Sequence, residues 1–239
     1  MLILPAIDVM NNKAVRLLKG DFQKMTVYYE DAFEPAKLFF ENGFKRIHLV
    51  DLDASRTGNI TAENLVRRIK QETGCMIQFG GGIRNREQIE LLHYAGVDRI
   101  IAGSLPVTDP DLFEELIKEY GAESFIVAMD ILEDKVKIKG WTETAAVSAG
   151  ELISFGLQLG IREFLCTDIS RDGTLQGPAI DLYKQLMNGY PDMKLIASGG
   201  IGSMNDIYEL EHISVSMAVA GKAIYAKAIL IEELKRYAG

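Results

Sequence analysis

The chain repeats itself once, and the repeat takes up half its length. The apolar run LILPAI closes on Asp8, and FIVAM closes on Asp130. Asp51 of HLVD returns 117 residues on as Asp168 of LCTD. Gly81-Gly82-Ile83 returns 118 residues on as Gly199-Gly200-Ile201, and Gly103 of IIAGS returns as Gly221 of AVAGK. A unit of this size is far longer than a solenoid repeat of roughly 20–50 residues, so it describes two fused half-domains. The halves, about 1–121 and 122–239, make one domain of 239 residues. Two-fold folding brings equivalent run ends together, so Asp8 and Asp130 are expected to face one pocket.

Within each half, short apolar runs alternate with longer amphipathic stretches. The runs LILPAI, RIHLV, MIQF, RIIAG, FIVAM, EFLCT, KLIAS and MAVAG are rich in Ile, Val and Leu and show little polar alternation. Such runs read as parallel strands covered on both faces. Between them, ITAENLVRRIKQETG predicts a helix capped by Asn59 or Thr61 and stopped at Gly74. NREQIELLHYAG stops at Gly96, and DPDLFEELIKEYG carries Pro110 in its first turn and stops at Gly121. PAKLFFENG, SAGELISFGLQLG, AIDLYKQLMNG, SMNDIYELEHI and KAILIEELKRY complete the set. Eight strands alternating with eight helices in 239 residues predict an α/β fold, a (β/α)8 TIM barrel built from two duplicated (β/α)4 half-barrels. Residues 11–29 and 131–145 fall outside the alternation. Each holds a β-like segment, AVRLLKGD or KVKIKGW, and each is expected to form an extended loop over the same face.

Composition narrows the function classes. Apolar residues make up 48% and charged residues 25%, the mix of a globular protein with a sizeable core. The net charge of −8 comes with no basic block, which argues against a nucleic-acid partner. Cys75 and Cys166 show neither metal spacing nor a disulfide framework and read as buried free thiols of a reducing compartment. Asp8 interrupts the first apolar run, so the N-terminus reads as neither a signal peptide nor a membrane span, and the cytoplasm is the expected location.

In a barrel of this kind, chemistry sits where strands end and the following loops begin. Those ends are Asp8, Asp51, Gly80-Gly81-Gly82, Gly103-Ser104, Asp130, Thr167-Asp168, Ser198-Gly199-Gly200 and Gly221-Lys222. A carboxylate at the end of a buried strand is costly unless it is paired or functional. Asp8 and Asp130 close the first and fifth strands, which lie opposite each other, and two such carboxylates can divide proton removal from proton delivery. His48 lies within a strand and His93 and His212 within helices, so all three read as structural. No nucleophile is framed and no metal-ligand spacing occurs, which leaves acid–base chemistry without a metal. The glycine clusters, Gly81-Gly82 with Gly103-Ser104 and Gly199-Gly200 with Gly221-Lys222, read as two phosphate cradles. They imply a small bisphosphate ligand. Arg16, Lys19, Arg84 and Arg171 are its candidate charge partners, and Trp141, the only tryptophan, is a candidate to stack on it.

LPAIDVMNNKAVRLLKGD, HLVDLDAS, FGGGIRN and above all CTDISRDGTLQGP resemble the phosphoribosylformimino-aminoimidazole carboxamide ribotide isomerase family of histidine biosynthesis, with the motifs in order along the whole chain. The resemblance implies a duplicated half-barrel with two phosphate sites and a cofactor-free Amadori rearrangement of an aminoaldose to an aminoketose. By position it implies Asp8 as proton acceptor, Asp130 as proton donor, Thr167 as support for the second carboxylate, and Asp172 as a further active-site carboxylate. It also implies a monomer. The two-fold symmetry by itself does not say which aspartate is acid and which is base.

Two other readings belong beside this one. The related cyclase shares the duplication and both aspartates, but its first motif usually reads PCLDV where this chain has PAIDV, and TDISRDG here carries Thr167. A non-catalytic phosphosugar-binding barrel would bind without conversion. The dual-specificity variant of the isomerase tends to carry an arginine in the loop after the fifth strand; residues 131–146 have Lys135, Lys137 and Lys139 but no arginine, which favours a single substrate.

Overall fold

The computed structural model describes every residue from Met1 to Gly239. Its strands are β1 (Leu2–Met10), β2 (Lys13–Leu18), β3 (Asp21–Tyr29), β4 (Arg46–Asp51), β5 (Met76–Gly80), β6 (Arg99–Ala102), β7 (Phe125–Leu132), β8 (Lys135–Ile138), β9 (Glu143–Thr144), β10 (Glu163–Asp168), β11 (Lys194–Ser198) and β12 (Met217–Ala220). Eight of them, β1, β4, β5, β6, β7, β10, β11 and β12, pair in parallel in that order, and β12 returns to β1. The sheet is closed and helices connect its strands, so the protein is a (β/α)8 barrel.

Strand periodicity sorts the side chains. Along β1, Leu4 and Ala6 belong to an inner apolar cluster with Ile101, Ile126, Ala128, Leu165, Ile196, Met217 and Val219. Ile3, Ile7 and Val9, on the other face, join the larger cluster that packs the helices. Each helix buries one stripe against that outer layer; Glu63–Thr73, for example, buries Leu65, Val66 and Ile69, each contributing about 1.5–3 kcal/mol. Continuing the inner face one step past Ala6 reaches Asp8, and one step past Ala128 reaches Asp130. The same alternation that fills the barrel therefore delivers both aspartates to its mouth.

The stretches expected as loops are hairpins. β1 runs on past Asp8, turns at Asn11-Asn12 and returns antiparallel as β2, then β3. β7 likewise turns at Glu133-Asp134 into β8 and β9. Both turns hold two residues at positive φ, 50° and 61° in the first and 51° and 61° in the second, the geometry whose twist matches flanking strands. Neither turn contains glycine, which is why the sequence did not announce them.

Other boundaries agree or shift for local reasons. Gly74 and Gly96 end their helices in the left-handed conformation, and Pro110 opens Pro110–Tyr120. The helix Glu63–Thr73 is capped by neither Asn59 nor Thr61: its N-cap is Ala62 and has no side-chain bond, because Thr61 is drawn to Asp51. KAILIEELKRY is not one helix but the four residues Ile231–Leu234 and a tight turn over Lys235–Tyr237. Short extra helices, Leu105–Thr108 and Lys222–Tyr225, follow β6 and β12 at equivalent places. No helix is long and apolar enough to cross a membrane.

Candidate active site

One pocket opens at the carboxyl ends of the barrel strands. Its lining includes Asp8, Asp130, Thr167 and Asp172, and both glycine clusters: Gly81, Gly82, Gly103 and Ser104 from one half, Gly199, Gly200, Gly221 and Lys222 from the other. Residues separated by more than two hundred positions thus meet in one concavity, as the repeat required.

The glycines are there for backbone reasons that recur in both halves. Gly81 and Gly82 have φ of 109° and 69°, and Gly199 and Gly200 have 92° and 87°, all in the region that favours glycine. A Cβ on Gly82 would run into the Ala54 carbonyl, and one on Gly200 into the Gly177 carbonyl. A capped helix follows each cluster: Asn85 and Ser203 both form capping boxes, with Gln88 and Asp206. The backbone N–H groups of Gly82, Gly103, Ser104, Gly200 and Gly221 have no backbone acceptor, so each cluster presents free donors to an anion.

The two aspartates are furnished differently. Asp8 Oδ2 accepts from Arg16 Nη1 at 2.8 Å, and both side chains are mostly buried. Burial pushes the Asp8 carboxyl up from its ordinary value, while the Arg16 charge and hydrogen bond pull it back. Asp130 Oδ2 accepts from the Trp141 indole N–H at 2.8 Å. Burial raises the Asp130 carboxyl too, and the neutral donors Trp141 and Thr167 oppose it. Asp172 is pushed up to about 6, first by burial and then by the negative charge of Asp8, with Asp130 adding to it. A third carboxyl, half-protonated near pH 6, therefore stands beside the pair.

The other expected residues divide. Arg16 lines the pocket but is committed to Asp8 and to the Ala6 carbonyl, 2.5 Å from its Nη2. Arg84 is exposed at the rim beside Gly58. Lys222 reaches the pocket, and its Nζ donates to the Gly173 carbonyl at 2.6 Å. Trp141 packs its ring on Gly20 across the mouth, so the β7–β8 hairpin meets the β2–β3 hairpin. Arg171 is not in the lining: it turns onto the Gly177 carbonyl at 3.1 Å and onto Asp168 at 3.3 Å, and holds the loop together. Lys19 is also outside the lining and ties its backbone N–H to the Asp172 carbonyl.

Asp51 is a structural anchor. It is fully buried and accepts from the N–H groups of Ala54, Thr61 and Ala62 and from the Thr61 hydroxyl. His48, read as structural, lines the pocket floor. Gln78 bonds its Nδ1 at 2.7 Å, and burial, helped by the Arg16 charge, pushes its pKa down to about 3, so it is a neutral group. Tyr225 and Lys139 were not singled out from the sequence. Lys139 lines the pocket and donates its backbone N–H to Ser104 Oγ at 2.9 Å. No three His, Cys, Asp or Glu side chains are gathered closely enough to hold a metal ion.

Fold and site together define a two-fold (β/α)8 barrel whose pocket sets two carboxylates between repeated glycine clusters. Comparison with known proteins gives this class its family. The model of a family described as "Histidine biosynthesis protein" matches residues 2–230, and the chain belongs to that family. Among similar proteins, a Streptococcus thermophilus protein is 42% identical over 239 residues, covering all of both chains. One from Streptococcus sanguinis is 42% identical over 238 residues, covering 98% of this chain and 97% of its own, and one from Parabacteroides distasonis is 40% identical over 235 residues, covering 98% of each. All three are named 1-(5-phosphoribosyl)-5-((5-phosphoribosylamino)methylideneamino)imidazole-4-carboxamide isomerase.

Proposed function

We propose that the chain is an intramolecular aldose–ketose isomerase of histidine biosynthesis, converting the 5-phosphoribosyl-formimino aminoaldose to its phosphoribulosyl aminoketose. The observation that carries this reading is the single pocket in which two carboxylates lie between two glycine cradles related by the repeat. The substrate has a phosphate at each end, so each cradle takes one, and the reacting ribose lies between the acids. The names of the full-length relatives agree.

The chemistry needs only proton transfers. An acid protonates the ribose ring oxygen, the ring C–O bond breaks, and the nitrogen lone pair forms an iminium. A base then removes the proton on C2′. The electrons of that C–H bond form the enolamine, which tautomerises to the aminoketose. Arg16 supplies what the repeat could not, a reason for the two aspartates to differ. The guanidinium favours the ionised form of Asp8 against its burial, which fits Asp8 to the base role. Asp130, held by neutral donors, takes the acid role. A second assignment of the acid follows from Asp172: its carboxyl, pushed up to about 6, keeps its proton in a fraction of molecules near neutrality, so it delivers the proton while Asp130 orients the ring.

The two buried free thiols fit a reducing cytoplasm. The test is incubation of the purified protein with the aminoaldose, without ammonia, and identification of the product. The aminoketose is expected. A requirement for ammonia would favour a cyclase, and binding without conversion would leave only a phosphosugar-binding barrel.

A further inference from the structure

The halves of the site depart from symmetry most sharply around Asp8. Val15 stands opposite Asp8 in one hairpin as Lys137 stands opposite Asp130 in the other, so the next residue, Arg16, corresponds to Ile138. The offset that relates Gly221 to Gly103 relates Tyr225 to Val107. An arginine and a tyrosine are thus both present beside one aspartate, and both are replaced by aliphatic residues beside the other.

The arginine and the tyrosine touch. The Arg16 guanidinium carbon lies 5.3 Å from the centroid of the Tyr225 ring, within cation–π range. Arg16 Nη2 and the Tyr225 hydroxyl both donate to the Ala6 carbonyl, at 2.5 and 3.0 Å. Arg16 has few other ties: its Nε is buried without an acceptor. Behind it lies Gly221, where any Cβ would overlap the guanidinium. Tyr225 itself is held by the rings of Tyr28, Tyr29 and Phe39, with centroids at 5.1, 6.1 and 6.2 Å. The arginine is mobile by chemistry, with several rotatable bonds, and the tyrosine is a wall that is not.

We propose that Tyr225 is a positioning residue, whose ring fixes the Arg16 guanidinium against Asp8 and so favours the ionised form of Asp8. This rests on Asp8 being the base. The groups whose charge bears on this corner are Arg16 from β2, Tyr29 from β3, His48 from β4, Asp130 from β7, Asp172 from the loop after β10, and Lys222 and Tyr225 from the helix Lys222–Tyr225. His48 is neutral, Asp172 repels, and Arg16 alone bonds Asp8. Loosening Arg16 therefore raises the Asp8 pKa and moves the acidic limb of kcat/KM to higher pH, since the base must be deprotonated.

The experiment is a set of pH profiles of kcat/KM for the wild type, Tyr225→Leu, Tyr225→Phe, Arg16→Gln and the Arg16→Gln/Tyr225→Leu double variant, with Tm read on the same samples. Tyr225→Leu is expected to move the acidic limb up by about half a unit or more. Tyr225→Phe keeps the ring and the wild-type limb. In the Arg16→Gln background, Tyr225→Leu adds no further shift, because the two act through one contact. A limb that stays put in Tyr225→Leu while Tm falls would reduce the tyrosine to packing and overturn the proposal. So would a shift of equal size in Tyr225→Phe, or one that persists without Arg16. Failure of the underlying reading looks different: Asp8→Asn would then keep its turnover.

Discussion

Arg16 reaches Asp8 across 2.8 Å, whereas Asp130 is met by the uncharged indole of Trp141 at the same distance. Two carboxylates that the repeat makes equivalent by position are made unequal by their partners. The inequality matters because a base must be free of its proton and an acid must hold one at the same pH.

The first prediction concerns these two groups directly. Asp8→Asn and Asp130→Asn keep the shape of the side chain and remove its proton chemistry. Each is expected to lower kcat about 10²–10⁴-fold, with an unchanged far-UV circular dichroism spectrum. Steady-state turnover of the aminoaldose checks this, and near-normal kcat in either variant would remove that residue from the mechanism.

Asp172 costs the fold stability at neutral pH. Its folded pKa of about 6 exceeds the ordinary 3.8, so its burial is tolerated below the lower value and penalised as pH rises through the upper one. Asp172→Asn removes the penalty. Urea unfolding at pH 8 is expected to show the variant about 1–3 kcal/mol more stable than the wild type, with the gain gone near pH 4. Turnover falls in the same variant.

Trp141→Phe keeps an aromatic ring over Gly20 but removes the N–H that favours ionised Asp130. The Asp130 pKa then rises further. If Asp130 is the acid, the basic limb of kcat/KM moves to higher pH, by about half a unit. A limb that does not move assigns proton delivery to Asp172.

Asp51 resembles Asp8 and Asp130 only in sequence. Its carboxylate is wholly buried and satisfies backbone N–H groups on two segments, Ala54 on one and Thr61 and Ala62 on the other. Asp51→Ala orphans those donors and is expected to cost about 3–5 kcal/mol of stability. The folded fraction keeps its kcat. Denaturant melts with activity assays on the same preparation separate the two effects.

Much of this was legible from residue spacing. Aspartates and glycines at strand ends recur at one offset, and a barrel must bring such ends to one mouth, so the pocket and the two glycine clusters in its wall followed from the repeat. What stayed hidden depended on partners across space. Arg16 was read as a phosphate ligand, because nothing in the sequence says that the hairpin register sets it beside Asp8. The hairpins themselves were read as loops, since Asn11-Asn12 and Glu133-Asp134 are unusual two-residue turns. Arg171 was expected in the site, but it has a carbonyl and a carboxylate to satisfy nearer home. Tyr225 carries no motif, and only the contact of its short helix with β1 and the aromatic cluster gives it a role.

The joins between the halves, β6 to β7 and β12 to β1, are ordinary parallel pairings with no special lock. A fragment ending near Gly121 would therefore carry two raw edges, β1 and β6, each lined with unpaired peptide groups. Such a half cannot stay solitary in water: it would pair with a second half or clump. Completeness of the ring, more than any single contact, leaves the eight barrel strands without a free edge.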